Sequence, residues 1–321
     1  MLKLIVWKGL CMLMLLHTLT ILVSCADDSS VDREPEDQAT GEFIDESTYR
    51  VFPANGDNFD IAEFRLWVPE TENRVKAVLV LLGSHNFNGL GLGSTEEWRS
   101  FALREEVAIL SVHFKVLDSW TGYYPDAHLG TGQALLTALQ KLSEASGNNY
   151  INDLPFLLRG YSAGGVFSYS FSAFQPDRVV AFANIRGGGL NVTPDNNLKV
   201  PGLMFYGDED LPERNERIKG IVASRRSVGG LWCLVREPHT GHYGELKEPD
   251  NLIRMLFSKA LNKRLQGNHQ NLTEIKEAEG WLGDQVSYET APYNEFPGDK
   301  TMASWLLDEE FASNWKGLQE N

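Results

Sequence analysis

The sequence predicts an α/β protein built on a mostly parallel, doubly wound sheet with helices on both faces. Short, continuous apolar runs at 77–82, 107–112, 155–158, 179–185, 202–206 and 231–235 have the Val-, Ile- and Leu-rich character of parallel strands buried on both faces. Helical patterns lie between them at 130–145, 164–174, 212–224 and 249–262. That alternation implies right-handed crossovers, with ligands bound outside the carboxyl ends of the strands. The composition agrees, since 42% hydrophobic and 23% charged residues over 321 positions describe a chain that folds in water around a large core, neither disordered as a whole nor a multi-span membrane protein.

The first segment has a different character. Lys3 and Lys8 precede an apolar run over 9–23, the n-region and h-region of a secretory signal. The run ends in Leu22, Val23, Ser24 and Cys25, which resembles a bacterial lipobox. On that resemblance residues 1–24 are a lipoprotein signal peptide, and cleavage leaves a diacylated Cys25 as the first residue. Two acyl chains anchor far better than one, because each buried methylene adds about 0.8 kcal/mol. The mature protein is therefore expected to be exported and held on a membrane by its lipid anchor only, facing the periplasm or the cell surface.

Residues 25–48 read as an acidic disordered tether, with nine acids between Asp27 and Glu46 against the single base Arg33. Asp27 and Asp28, directly behind Cys25, also resemble the acidic surface-export signals of some lipoproteins. The net charge is −15 for the whole chain, and −17 (27 basic against 44 acidic residues) once Lys3 and Lys8 leave with the signal. Such a surface repels nucleic acid and anionic lipid, so no nucleic-acid partner is expected. Of the three cysteines, Cys11 lies in the signal and Cys25 at the lipid site, which leaves Cys233 for the fold. An internal disulfide and a cysteine metal cluster are both excluded for the mature chain.

The α/β domain itself is expected over 49–262. It opens on a strand-and-hairpin pattern to Pro69, in which Phe64, Leu66 and Val68 alternate with Glu63, Arg65 and Trp67. Residues 263–321 break the rhythm, and Trp281, Trp305 and Trp315 punctuate an otherwise polar segment. This reads as a C-terminal extension packed on the domain by its tryptophans.

Gly160, Tyr161, Ser162, Ala163 and Gly164 spell G-x-S-x-G. A serine on a tight strand-to-helix turn is strained, and its neighbours two positions away have no room for bulk. Alone the pattern is weak in a chain with 29 glycines, where a glycine-rich turn with a serine N-cap is the bland explanation. Its placement is what gives it weight, because Phe156, Leu157 and Leu158 precede it as a strand and Gly165, Val166 and Phe167 open a helix after it. Serine is a weak nucleophile without a base. Two segments after Ser162 offer partners on loops that follow strands: Gly207, Asp208, Glu209 and Asp210, then Pro238, His239, Thr240, Gly241 and His242.

On these residues, 77–262 resembles the α/β-hydrolase superfamily, especially extracellular esterases related to polyhydroxyalkanoate depolymerases, feruloyl or acetyl esterases and dienelactone hydrolases. The resemblance implies an α/β-hydrolase fold and a triad in the chain order Ser, Asp or Glu, His. It selects Ser162 as nucleophile, His242 over His239 as base, and Asp210 over Asp208 as acid. It implies an oxyanion hole made by the backbone NH of Ala163 and an NH of the loop at 83–89, with His85 favoured and Asn86 next, although this loop departs from the common His-Gly patterns. It also implies hydrolysis without a metal or other cofactor, of an ester that is a small molecule or is linked to a polysaccharide, with thioester, lactone and peptide bonds left open. The aromatics Trp120, Tyr123 and Tyr124, on the loop after the run at 107–112, are the expected substrate-binding residues. The competing class is a hydrolase fold retained as a glycan- or ligand-binding surface lipoprotein, against which stands the presence of all three triad residue types in order. No motif reports the substrate.

Overall fold

The computed structural model describes residues 40–117, 123–189, 195–266 and 271–320. The expected signal peptide, the lipid site at Cys25 and most of the tether lie outside the described residues, as does Trp120.

Among the described residues nine strands form one sheet in the order β1-β2-β3-β5-β4-β6-β7-β8-β9. These are β1 Gly41–Asp45, β2 Thr48–Val51, β3 Ile61–Trp67, β4 Ala77–Leu82, β5 Val107–Lys115, β6 Phe156–Tyr161, β7 Val179–Ile185, β8 Gly202–Gly207 and β9 Trp232–Glu237. β1 to β3 form an antiparallel meander, β3 joins β5 antiparallel, and everything from β5 to β9 is parallel. This is the α/β-hydrolase fold. The order reverses at β4, which is flanked by β5 and β6, so the site-bearing crevice opens beyond the carboxyl ends of these strands.

Side-chain alternation divides the core into two layers. Val78, Val80 and Leu82 of β4 face α2 Thr131–Ala145, α3 Ala163–Phe174 and α4 Pro212–Arg226. Ala77, Leu79 and Leu81 face α1 Glu96–Glu105 and α5 Lys247–Arg264. All six residues of β4 and all seven of β7 are buried, which is why their limits could be read from apolar runs alone. Helix α1 was not read from the sequence, although Trp98, Phe101 and Ala102 recur at helical spacing and are buried. α3 is buried from Gly164 to Ala173 and forms the spine behind the Ser162 turn.

The ends of the sheet differ from the sequence reading. Residues 41–48 fall inside the expected tether, yet Gly41–Asp45 pairs with Thr48–Val51. β1 is an edge strand whose side chains are mostly exposed, so backbone hydrogen bonds hold it and its acidic composition betrays no strand. At the other edge the C-terminal extension closes β9. It forms a second sheet of β10 Trp281–Gly283, β11 Thr290–Pro292 and β12 Ser304–Leu306, followed by α6 Glu309–Glu320. Its side chains occupy β9's open backbone groups. The Leu234 NH donates to Ser304 Oγ at 3.0 Å, Trp315 Nε1 donates to the Leu234 carbonyl at 2.9 Å, and the Arg236 NH donates to Gln319 Oε1 at 2.8 Å. Trp305 and Trp315 are buried as anchors, while Trp281 is half-buried.

Candidate active site

The geometry begins at the turn between β6 and α3. Ser162 has φ 55° and ψ −119°, a left-handed conformation that costs an L-residue about 1–3 kcal/mol. The surroundings hold it there. The Ser162 NH donates to the Ile185 carbonyl at 2.8 Å, and the Gly164 NH donates to the Gly83 carbonyl at 3.1 Å. The motif glycines follow from the same crowding, since a Cβ on Gly160 would strike the Gly164 carbonyl and one on Gly164 would strike Gly83. Strand, turn and helix thus present a half-buried Ser162 at the carboxyl edge of the sheet.

The two partners arrive from β8 and β9. Ser162 Oγ lies 3.0 Å from His242 Nε2, and His242 Nδ1 lies 2.9 Å from Asp210 Oδ2. Asp210 is buried, and its Oδ1 accepts the Leu211 NH at 2.7 Å and the guanidinium of Arg214. The structure therefore brings together Ser162, His242 and Asp210. It sets the alternatives apart, since Asp208 is exposed and paired with Arg236 Nε at 2.8 Å, and His239 is exposed at φ 51°.

Two arginines complete the arrangement, and sequence reasoning found neither. Arg186 follows β7 and is wholly buried. All five of its NH donors are used: Nε and Nη2 on Glu237 at 2.8 and 2.5 Å, Nη1 on the carbonyls of His242 and Gly244 at 3.1 and 2.7 Å, and Nη2 again on that of Glu245 at 2.9 Å. Burial raises the Glu237 carboxyl above the ordinary range and the guanidinium pulls against it. Tyr161, the variable residue before the serine, adds its hydroxyl to the His242 carbonyl at 2.8 Å. The loop carrying the histidine is thus tied to the two strands beside it. The only sequence signal for Arg186 is a charged residue ending an apolar run.

Arg214, in the first turn of α4, places Nη1 2.9 Å from His242 Nδ1 as well as on Asp210 Oδ1. Both nitrogens are donors when Nδ1 carries its proton, so the shared Asp210 carboxylate is what brings them together. Nδ1 lies against Oδ2 and the guanidinium against Oδ1. With the proton on Nδ1, Nε2 faces the serine as an acceptor at 3.0 Å, the tautomer a general base requires.

The loop after β4 carries the expected oxyanion donors. Asn86, at φ 56°, is committed elsewhere: its NH meets Tyr124 Oη at 3.3 Å, and its side chain bridges the Val116 NH and carbonyl at 2.9 and 3.0 Å. His85 is exposed, with its ring stacked on Tyr124 at 5.5 Å between centroids. Ala163 is the first residue of α3, where backbone NH groups and the helix dipole favour negative charge.

The expectation that Tyr124 lines a substrate pocket does not hold. It is 2% exposed, packs on Phe114 and supports the loop at Asn86, so it is a core residue whose hydroxyl burial pushes above the usual tyrosine range. Tyr123 does reach the surface, and its hydroxyl donates to the Gly189 carbonyl. Phe87 and Tyr243 are exposed as well, on the loops after β4 and β9. Among the described residues no group of three His, Cys, Asp or Glu side chains is arranged to hold a metal.

No protein-family model matches the sequence, and no curated protein is similar to it. Solved structures are similar at low identity. A thermostable esterase is 17% identical with a TM-score of 0.44, over 56% of this chain and 51% of that one, so the match spans about half of that esterase's length. Poly(aspartic acid) hydrolase-1 from Sphingomonas sp. KT-1 is 13% identical with a TM-score of 0.48, over 68% of this chain and 99% of that one. A poly(3-hydroxybutyrate) depolymerase from Bordetella parapertussis is 17% identical with a TM-score of 0.44, over 69% of this chain and 88% of that one.

Proposed function

We propose that this protein is a serine hydrolase that cleaves carboxylic esters through an acyl-enzyme. The observation that carries the reading is the unbroken chain from Ser162 Oγ to His242 Nε2 at 3.0 Å and from His242 Nδ1 to Asp210 Oδ2 at 2.9 Å, set on a strained turn. In this reading His242 takes the Ser162 proton as Oγ attacks the ester carbonyl. The tetrahedral oxyanion meets the NH of Ala163 and an NH of the loop at 83–89, for which His85 remains the assignment once Asn86 is committed to Tyr124. The imidazolium, held by Asp210, then protonates the departing alcohol. Water, deprotonated by the same histidine, releases the acid and restores Ser162.

Labelling by a fluorophosphonate and hydrolysis of short p-nitrophenyl esters test this directly. Ser162→Ala is expected to abolish the label and to lower kcat by on the order of a millionfold. A folded wild-type protein that takes no label is instead a binding module. We further propose that Cys25 is the lipidated first residue of an exported, membrane-tethered enzyme, on the strength of the lipobox resemblance at Leu22–Cys25. Mass spectrometry of the membrane-extracted protein is expected to find diacylglycerol on Cys25, and a mature start elsewhere rejects the anchor.

A further inference from the structure

The arginines of α4 are more than the triad needs. Arg214 spends Nη1 on Asp210 and beside His242, yet no acceptor meets its Nε or Nη2 among the described residues. Neither nitrogen is a buried orphan, and the side chain is 26% exposed, so these two donors open to solvent at the edge of the site. Arg217 follows three residues later on the same helix and is exposed. No carboxylate forms an ion pair with it among the described residues, whereas Lys219 nearby pairs with Glu216 at 3.3 Å. The other arginines of known placement are engaged by carboxylates, carbonyls or ring faces, as Arg159 is by Asp250 and Arg178 by the carbonyls of Asn152 and Leu154.

Arg214 borders a defined corner. Gly187, Gly188 and Gly189 follow Arg186, and a Cβ on them would meet Asn184 Oδ1 and the Ser162 carbonyl, then the Cγ and backbone of Arg214, then the Tyr123 hydroxyl. The glycine run therefore passes from the backbone of Ser162 to the stem of Arg214 and on to Tyr123. Tyr123 feels Arg217 as well: burial first, then Asp126, lift its hydroxyl to about 12, and Arg217 pulls it back. In a chain of net charge −15, the unspent guanidinium donors of Arg214, whose Nη1 lies 2.9 Å from His242 Nδ1, mark a place for an anion at the edge of the site.

We infer that the substrate is an ester bearing a carboxylate, which the open guanidinium edges of Arg214 and Arg217 receive while Ser162 attacks the ester carbonyl. This rests on the hydrolase reading above. Bound this way, the carboxylate orients the ester along the glycine run, and neutral esters of the same length lack that hold.

The test compares esters of equal reach in the full-length protein: p-nitrophenyl butyrate against mono-p-nitrophenyl glutarate for a carboxylate on the acyl half, and phenyl butyrate against 4-carboxyphenyl butyrate for one on the alcohol half. One anionic member is expected to be preferred in kcat/KM by about tenfold, the worth of a charge-assisted hydrogen bond, and which pair shows it locates the anion. Arg217→Gln is expected to shrink that preference several-fold, mainly through KM, and added salt is expected to do the same in the wild type. Lys199→Gln removes the same charge from a remote pair with Glu274 and is expected to change neither pair of rates. Hydrolysis of all esters with no anionic preference, or equal losses on both members in Arg217→Gln, overturns the inference and leaves the hydrolase reading intact. A folded protein that cleaves none of them and takes no fluorophosphonate fails the hydrolase reading, and this inference with it.

Discussion

Two arginine–carboxylate pairs stand on either side of His242, and they do different work with the same chemistry. Arg186 and Glu237 are buried, bidentate and complete, with every guanidinium donor placed on an acceptor. That pair grips the backbone of the histidine loop and has nothing left to offer a ligand. Arg214 and Asp210 are asymmetric, since the acid is buried while the arginine is partly exposed and only one of its nitrogens is engaged with the triad. A closed pair builds a scaffold. An open one can touch both the reacting groups and whatever comes to meet them.

Removing each carboxylate's charge separates the two roles. Asp210→Asn is expected to lower kcat by about 10⁴-fold, because an amide presents Nδ1 with the wrong partner and releases the tautomer that keeps Nε2 free. Its melting temperature should move little beside that loss. Glu237→Gln is expected to show the reverse balance, a destabilisation of about 3–5 kcal/mol by urea titration as Arg186 is left buried without its counter-charge, and a smaller fall in activity through the loosened loop. Asp208→Asn is the control. It removes only an exposed partner of Arg236, and its rate should stay within about twofold, with stability changed by less than about 1 kcal/mol. If Asp208→Asn is inactive and Asp210→Asn active, the triad has been assigned to the wrong carboxylate.

How far the sequence foresaw this depends on the range over which each feature is determined. β4 and β7 were readable to the residue because burial on both faces leaves a continuous apolar run. Ser162 was readable because the turn imposes glycine within two residues of it, a local demand that the crowding of Gly160 and Gly164 against backbone explains. Asp210 and Asp208 are two residues apart with the same side chain, and only the path of the chain after β8 decides which one meets His242. Arg186 and Arg214 were invisible for a related reason. Arg186 reaches Glu237, 51 positions on, and no periodicity links two residues joined only by the sheet order. In the extension at 263–321 Trp305 and Trp315 are buried, but the sealing of β9 that Trp315 shares is also done by Ser304 and Gln319, which read as ordinary surface residues in the sequence.

A third carboxylate sharpens the comparison with the smallest effect. Glu63 on β3 is buried between Arg50 and His113 at the meander end of the sheet, far from the triad in fold position, with Arg50 Nε at 2.9 Å and His113 Nδ1 at 2.9 Å. Burial acts to raise its carboxyl, but the hydrogen bonds from His113 and Arg50 outweigh it and hold the group below its ordinary value of 4.5. Because the folded state binds this proton less tightly than the unfolded one, the ionised Glu63 stabilises the fold above 4.5, and that stability is lost as pH falls through the lowered folded value. Glu63→Gln is therefore expected to cost about 1–3 kcal/mol near neutral pH and progressively less in acid, so that urea midpoints of variant and wild type converge there. Activity at neutral pH should be nearly unchanged, in contrast to Asp210→Asn. Midpoints that stay equally separated at both pH values would show that Glu63 acts through packing alone, and that the pull of a guanidinium against burial seen at Glu237 does not extend to this end of the sheet.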